Sequence, residues 1–464
     1  MPRSLQQVQP PLEFIPPALD RKAVYFLRST LPLWLRFKTP IREVEAKNLE
    51  QLAHLYQQFQ DGKIRLLLAF RHPSTDDPAS MMYLMHHLLP RFAKQHGIRL
   101  QPPTHAHFMY DRGIPLWAGA IVGWMYSKLG GTPIHRGKLD RVGLRSARDL
   151  FANGQFPMMA APEGATNGHN EIISPLEPGI SQLGFWCAED VQKAGRSEDV
   201  VIVPVGLQYR YATPPWDAIE KLLSELETDA GLNKSDIDES KGSEKHLYHR
   251  LYRLAAHLLV KMEEFYRRFY HQKIGTTENA KADTITNEEF AIRLQELLNT
   301  ALQVPEDYFN VLAKGTVIDR CRRLEQAAWD CIYREDLQLD KLSPLERGLA
   351  DLVAEEAQLR IWHMRIVESF VAVTGQYVVE KPTAERFTET VLIMWDTITR
   401  IKGGNAFHRP KLGKQTALIT IGDPISLGGD RWAAYKKDRR SAKQAIADLT
   451  QDLQDAMEKM ILNS

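Results

Sequence analysis

Leu66-Leu67-Leu68-Ala69-Phe70 is an unbroken apolar run that passes straight into the polar loop Arg71-His72-Pro73-Ser74-Thr75-Asp76-Asp77. A strand wetted on one face alternates apolar and polar residues, so a continuous run suits a strand covered on both faces, as in a mostly parallel sheet between helical layers. The loop that follows then lies at the carboxyl edge of the sheet, where open α/β sheets bind ligands. His72 and Asp77 stand in the pattern H-x-x-x-x-D, ahead of an amphipathic helix carrying Met81, Leu84, Met85, Leu88 and Leu89. A loop of that length can fold back so that the Asp77 carboxylate meets one imidazole nitrogen and leaves the other as a general base. Asp77 followed by Pro78 is also the pattern of a helix N-cap and first-turn proline.

The chain of 464 residues has room for two or three domains, or one domain with a large insertion. Its net charge of +1 gives no case for a nucleic-acid binder. Cys187, Cys321 and Cys331 are too few and too scattered for a disulfide framework or a paired-cysteine metal site, which fits a reducing cytoplasm. The opening residues lack the basic-then-apolar pattern of a signal peptide. The best apolar run, Ile114 to Tyr126, is shorter than the roughly 20 residues that cross a bilayer. The expectation is a cytoplasmic protein that meets a membrane, if at all, from one side.

Residues 1–20 are proline-rich. From Arg21 to Arg42 there are basic residues and no acidic one, interleaved with Tyr25, Phe26, Trp34 and Phe37. Two readings stand: an element lying in an anionic membrane interface, or a first helix packed on the core with its charges in water. Pro32 should break or kink it. Residues 44–60 read as a helix. A short strand within 98–110 would place His105 and His107 on one face as polar lining rather than metal ligands. Gly130 and Gly131 mark a turn, and Ile134 to Arg136 read as a short strand ending in a cation. Arg136 and Lys138 suit an anionic group, Arg136 through a bidentate fork. After a helix near 142–152, the strand at 156–161 runs into Pro162-Glu163-Gly164, repeating the arrangement of strand, sharp turn and carboxylate. A helix at 179–188 precedes a buried strand at 200–207, in which Pro204 suggests a bend or an edge.

Beyond Tyr211 strand signals nearly vanish. Leu247, Leu251, Leu254, Leu258, Met262, Phe265 and Phe269 line one face of a long helix. Thr286 with Glu289, and Ser343 with Glu346, have the form of capping boxes. Helices at 317–335, 343–373 and 383–402 complete a bundle-like region, with polar, flexible stretches at 228–243 and 272–285. Strand character returns at 416–425, and a last helix covers 442–462.

Four of these blocks, in order, resemble the glycerolipid acyltransferase family that makes lysophosphatidate and phosphatidate. They are His72 to Asp77 with Ser74, Gly131 to Arg136, Pro162 to Gly164, and Val203-Pro204-Val205. The resemblance spans about residues 60–211. It implies an α/β fold whose mixed, mostly parallel sheet is flanked by helices, with a large all-helical insertion. The divisions are 1–45 as a proline-rich start and basic membrane-facing segment, 46–211 as the acyltransferase core, 212–410 as the insertion, and 411–464 completing the core.

The resemblance also implies acyl transfer from acyl-CoA or acyl carrier protein to lysophosphatidate, with no cofactor or metal and with a lipid surface as partner. His72 is then the general base and Asp77 its orienting acid. Arg136, helped by Lys138, holds the acceptor phosphate, Glu163 with Gly164 shapes or binds the glycerol end, and Ser74, Gly131 and Pro204 support. No serine nucleophile is needed, and Gly179-Ile-Ser181-Gln-Leu183 lacks the second glycine of a nucleophile elbow. The helix start near Pro78 is a candidate oxyanion hole. Arg71 replaces the usual asparagine, and Glu163-Gly164-Ala165-Thr166 lacks the family's arginine, so the acceptor widens to glycerol 3-phosphate or a lipid hydroxyl without phosphate. From another class, a non-catalytic lipid-binding scaffold competes.

Overall fold

The computed structural model describes residues 6–135, 140–232, 244–274, 286–370, 376–406 and 408–461. The elements begin α1 (Arg21–Lys38), β1 (Ile41–Lys47), α2 (Leu49–Gln60), β2 (Ile64–Phe70), α3 (Asp77–Tyr83) and α4 (Leu89–Gln95), the last two joined by a π-helical turn at Leu84–Leu88. They continue β3 (His107–Asp111), α5 (Ile114–Ala118), α6 (Ala120–Lys128), β4 (Gly131–Ile134), α7 (Arg141–Asn153), β5 (Met158–Ala160), α8 (Gly179–Lys193) and β6 (Asp199–Tyr211). Then come α9 (Trp216–Asp229), α10 (Glu244–Phe269), α11 (Asn287–Phe309), α12 (Val317–Ile332), α13 (Pro344–Phe370), α14 (Tyr377–Glu380) and α15 (Ala384–Ile401). The chain ends with β7 (Gln415–Ile421), β8 (Ile425–Ser426), α16 (Asp430–Lys437) and α17 (Arg439–Lys459).

Two units emerge. The α/β unit comprises Glu13–Ala212 and Lys414–Ser464, and the helical unit comprises Met1–Leu12 and Thr213–Gly413. The first residues thus go with the helices, not with the segment that follows them: Gln9 N donates to Ile332 O at 2.7 Å and Val8 N to Asp351 Oδ1 at 2.9 Å.

In the α/β unit the strand order is β1-β7-β6-β2-β5-β3-β4, with β8 also on β6. β2, β3, β4, β5 and β6 run parallel, and β7 and β8 pair antiparallel to β6. β2 is buried along its whole length, and its alternate residues feed two cores. Leu66, Leu68 and Phe70 pack with side chains of α1, α2 and α3, whereas Leu67 and Ala69 pack with side chains of α7, α8 and α17. This is the open, mostly parallel sheet between helices that the apolar run required.

Several expectations are corrected. Residues 41–47 form β1 rather than the start of a helix, pairing in parallel with Gln415–Thr420. The helix starts only at Leu49, after Asn48 takes a left-handed conformation (φ 60°) and its Nδ2 donates to Ile421 O at 2.8 Å. Pro32 neither ends nor interrupts α1. Its missing N–H would have bonded Arg28 O, and His87 Nε2 donates to that carbonyl instead, at 2.9 Å. Gly119, at φ 95°, splits the apolar 114–129 stretch into α5 and α6.

Pro204 lies in a central strand, not at an edge. Its carbonyl accepts from Gly422 N at 2.9 Å, so its nitrogen faces the connection between β7 and β8, where no ladder partner is lost.

In the helical unit α10, α11, α12 and α13 share one apolar core that includes Leu259, Leu298, Leu324 and Met364. Thr286 caps α11 by accepting from Glu289 N, and Ser343 with Glu346 forms the reciprocal pair ahead of α13. Most of the stretches expected to be flexible, residues 233–243 and 275–285, lies outside the described residues.

Candidate functional site

Because β2, β5, β3, β4 and β6 are parallel, the loops leaving them emerge along one edge of the sheet. The loop after β2 carries His72 and the loop after β5 carries Glu163. The loop after β4 carries Arg136 and Lys138, which lie outside the described residues. Its far anchor is described: Asp140 Oδ2 accepts from His135 N at 2.9 Å and pairs with Arg112, and Oδ1 accepts from Gly143 N to cap α7.

His72 and Asp77 meet. Asp77 is the first residue of α3 and wholly buried, and its Oδ2 accepts from His72 Nδ1 and from Ser74 N, each at 2.8 Å. The role of Ser74 is thus carried by its backbone, while its hydroxyl accepts from Asp76 N at 3.2 Å. With Nδ1–H committed to the carboxylate, Nε2 holds the ring's free lone pair, on a side chain 22% exposed. Burial pushes the Asp77 carboxyl up from its ordinary value, and the hydrogen bonds from His72, Tyr209 and Ser74 hold it back.

Tyr209 was not legible in the sequence. It lies on β6, far along the chain, and its hydroxyl donates to Asp77 Oδ1 with Ser80 Oγ at 3.2 Å. Burial and the adjoining Asp77 charge push the phenol well above its ordinary pKa, so it remains a donor. β2 ends opposite Val205, which leaves the neighbouring edge of β6 uncovered further on. Asn170 fills it: its Oδ1 accepts from Tyr209 N at 2.7 Å and its Nδ2 donates to Tyr209 O at 3.1 Å.

Glu163 is also brought to His72, but as a support. Its buried Oε1 accepts from His72 N at 2.8 Å, and its Oε2 accepts from Asn167 Nδ2 and Ser174 N, each at 3.0 Å. A carboxylate so occupied holds the histidine's backbone and the 163–174 loop rather than a substrate hydroxyl, which corrects the role implied by resemblance. Gly164 sits at φ 72°, the left-handed conformation that closes this turn.

Arg71 lies beneath. Its guanidinium is 3.7 Å from Glu163 Oε1 and donates to the carbonyls of Asn170, His169 and Ile172, the last at 2.6 Å. The residue that departs from the family pattern therefore folds the loop that carries Asn170. Gly131 serves packing: a Cβ there would lie 2.6 Å from the Phe108 ring.

Two other expectations fail. The start of α3 offers no oxyanion hole, since Pro78 has no N–H and the amides of Asp77, Ala79 and Ser80 bond to Ser74 O, Asp76 O and Asp76 O. Ser181, whose flanking residues already lacked the nucleophile-elbow pattern, is buried against Thr450. His105 and His107 do not line the site. His105 precedes β3 and its Nε2 donates to Leu129 O at 2.8 Å, so its Nδ1 accepts from His86 Nε2 at 2.9 Å. His107 Nδ1 donates to Gly130 O at 3.0 Å. All three rings are neutral cross-links within the fold.

Among the described residues no group of His, Cys, Asp and Glu side chains is arranged to hold a metal ion, and no helix is long and apolar enough to cross a membrane. Compared with known proteins, the chain matches no family model and no curated protein.

Proposed function

We propose that this protein transfers a fatty acyl group from a thioester, acyl-CoA or acyl carrier protein, to the hydroxyl of lysophosphatidate, giving phosphatidate. The observation that carries this reading is the half-open His72 imidazole held by a fully buried carboxylate, at the edge where parallel strands end. His72 Nε2 removes the acceptor's hydroxyl proton as its oxygen attacks the thioester carbonyl. Asp77 fixes the tautomer and stabilises the imidazolium. The tetrahedral intermediate collapses, the C–S bond breaks, and the imidazolium returns the proton to the departing thiolate, leaving ester and free thiol.

Because Glu163 is fully engaged and no arginine follows Gly164, a second acceptor class deserves equal testing: glycerol 3-phosphate, or a lipid hydroxyl without phosphate. The reading places the enzyme at the cytoplasmic face of a membrane. Purified wild type and His72→Ala are assayed with a labelled acyl thioester and each acceptor in anionic vesicles. Removal of the base is expected to cost about 10²–10⁴ in rate. Transfer that is unchanged in His72→Ala sinks the mechanism, and no transfer to any acceptor favours the lipid-binding scaffold.

A further inference from the structure

α1 has an apolar face on the wrong side. Val24, Leu31 and Leu35 turn inward to the core, while Phe26, Leu33 and Phe37, at steps of seven and four, point away from it and are 60–71% exposed. Trp34 and Tyr25 flank them, also exposed. The hydroxyls on this outer face are already satisfied: Ser29 Oγ donates to Tyr25 O at 3.0 Å and Thr30 Oγ1 to Phe26 O at 2.9 Å. An exposed face with three large apolar side chains, satisfied hydroxyls and no acidic neighbour from Arg21 to Arg42 is unlike an ordinary solvated helix surface.

A second element shares the property. Gly113 to Ser127 contains no charged residue, and Ile121 and Trp124 on α6 are 78% and 61% exposed, with Leu116 of α5 also exposed. The start of α1 is tied to the end of α6 by Ala18 N to Ser127 O at 2.9 Å and Asp20 N to Lys128 O at 2.8 Å, and Gly123 lies against Ile15 and Pro115. Arg21, Lys22, Arg36 and Lys38 are exposed on α1.

We infer that α1 and the α5–α6 pair form a single docking surface that sinks into the interface of an anionic phospholipid leaflet. Exposed aromatic and aliphatic side chains enter the acyl boundary, and the cations of α1 meet lipid phosphates. Neither element is long and apolar enough to cross a membrane, so the proposal is of docking on one leaflet. The inference deepens the proposed function, in which a lipid hydroxyl is acylated, but the binding itself does not need that reading.

The test is co-sedimentation of the full chain with vesicles of phosphatidylcholine alone or mixed with equal phosphatidylglycerol, for wild type, Phe26→Ser/Phe37→Ser, Ile121→Ser/Trp124→Ser, and Arg36→Gln/Lys38→Gln. All replaced side chains are exposed, and circular dichroism checks their folding. Wild type should bind the anionic vesicles, salt should weaken it, and each pair of substitutions should lower the partition coefficient at least about tenfold. Absence of binding to either vesicle, or binding indifferent to the α6 pair, overturns the proposal. So does a dimer in sedimentation velocity that the same apolar variants dissolve without any vesicle binding, since a second copy then covers the face. Acyl transfer to a monomeric short-chain acceptor is measured in parallel: its absence counts against the enzyme reading alone, and its retention in vesicle-defective variants separates docking from chemistry.

Discussion

Tyr209→Phe removes one oxygen and isolates the contribution of a residue that reaches His72 only through the supporting carboxylate. The buried Asp77 keeps donors from His72 Nδ1 and Ser74 N but loses the phenol's hydrogen bond to Oδ1. A hydrogen bond to a charged group contributes about 1.5–3 kcal/mol, which corresponds to about one to two pKa units. The direction follows from the geometry: burial already pushes Asp77 up and Tyr209 opposes it, so deleting the hydroxyl raises it further. A more basic Asp77 carboxylate takes up a proton at higher pH, and once protonated it no longer supports the imidazolium. The acid limb of kcat/KM for acyl transfer should therefore move up by about one to two units, with the plateau at high pH much less affected. Initial rates across the profile, with Ser80→Ala as a control for packing around the phenol, check it. A uniformly lowered profile with an unmoved acid limb would refute the reasoning and leave Tyr209 as a packing residue.

Arg71→Met leaves Glu163 buried without its cation and three carbonyls without donors, so urea unfolding should show a loss of about 3–5 kcal/mol; wild-type stability would show that the 169–172 loop holds itself. His86 and His105 are depressed by burial to about 3 and about 4 from an ordinary 6.5. Their neutral cross-link contributes fully above pH 6.5, and as pH falls below it each histidine should cost about 1.4 kcal/mol per unit until its folded value is reached. His86→Leu should flatten that slope in denaturant melts, and an unchanged slope excludes the pair as its source. His87→Leu should cost about 1–3 kcal/mol by orphaning Arg28 O, and Pro32→Ala in the same chain should recover part of the loss by supplying an N–H; additive losses would break the link between the two residues.

Local signals located much of the site. An unbroken apolar run cannot be a half-wetted strand, so β2 had to be central, and the short span from His72 to Asp77 made their meeting a matter of one tight turn. Glu163 was found because the same strand-and-turn pattern recurs, but its role was not, since whether a carboxylate faces substrate or backbone depends on which donors surround it. Arg136 and Lys138 are not among the described residues, so their part in the site rests on sequence alone.

The amino-acid sequence by itself determined the doubly covered strand, the dyad spacing, and the caps at Thr286 and Ser343, because each depends on residues within a few positions of one another. Tertiary structure alone decided the rest. β1 is a strand because β7, some 370 residues later, pairs with it. α1 runs through Pro32 because His87 supplies a missing partner. Tyr209 joins the dyad because β6 lies beside β2 and extends past its end. In each case the deciding group is distant in the chain, and a hydrogen bond closed across that distance leaves no periodic trace in the residues on either side.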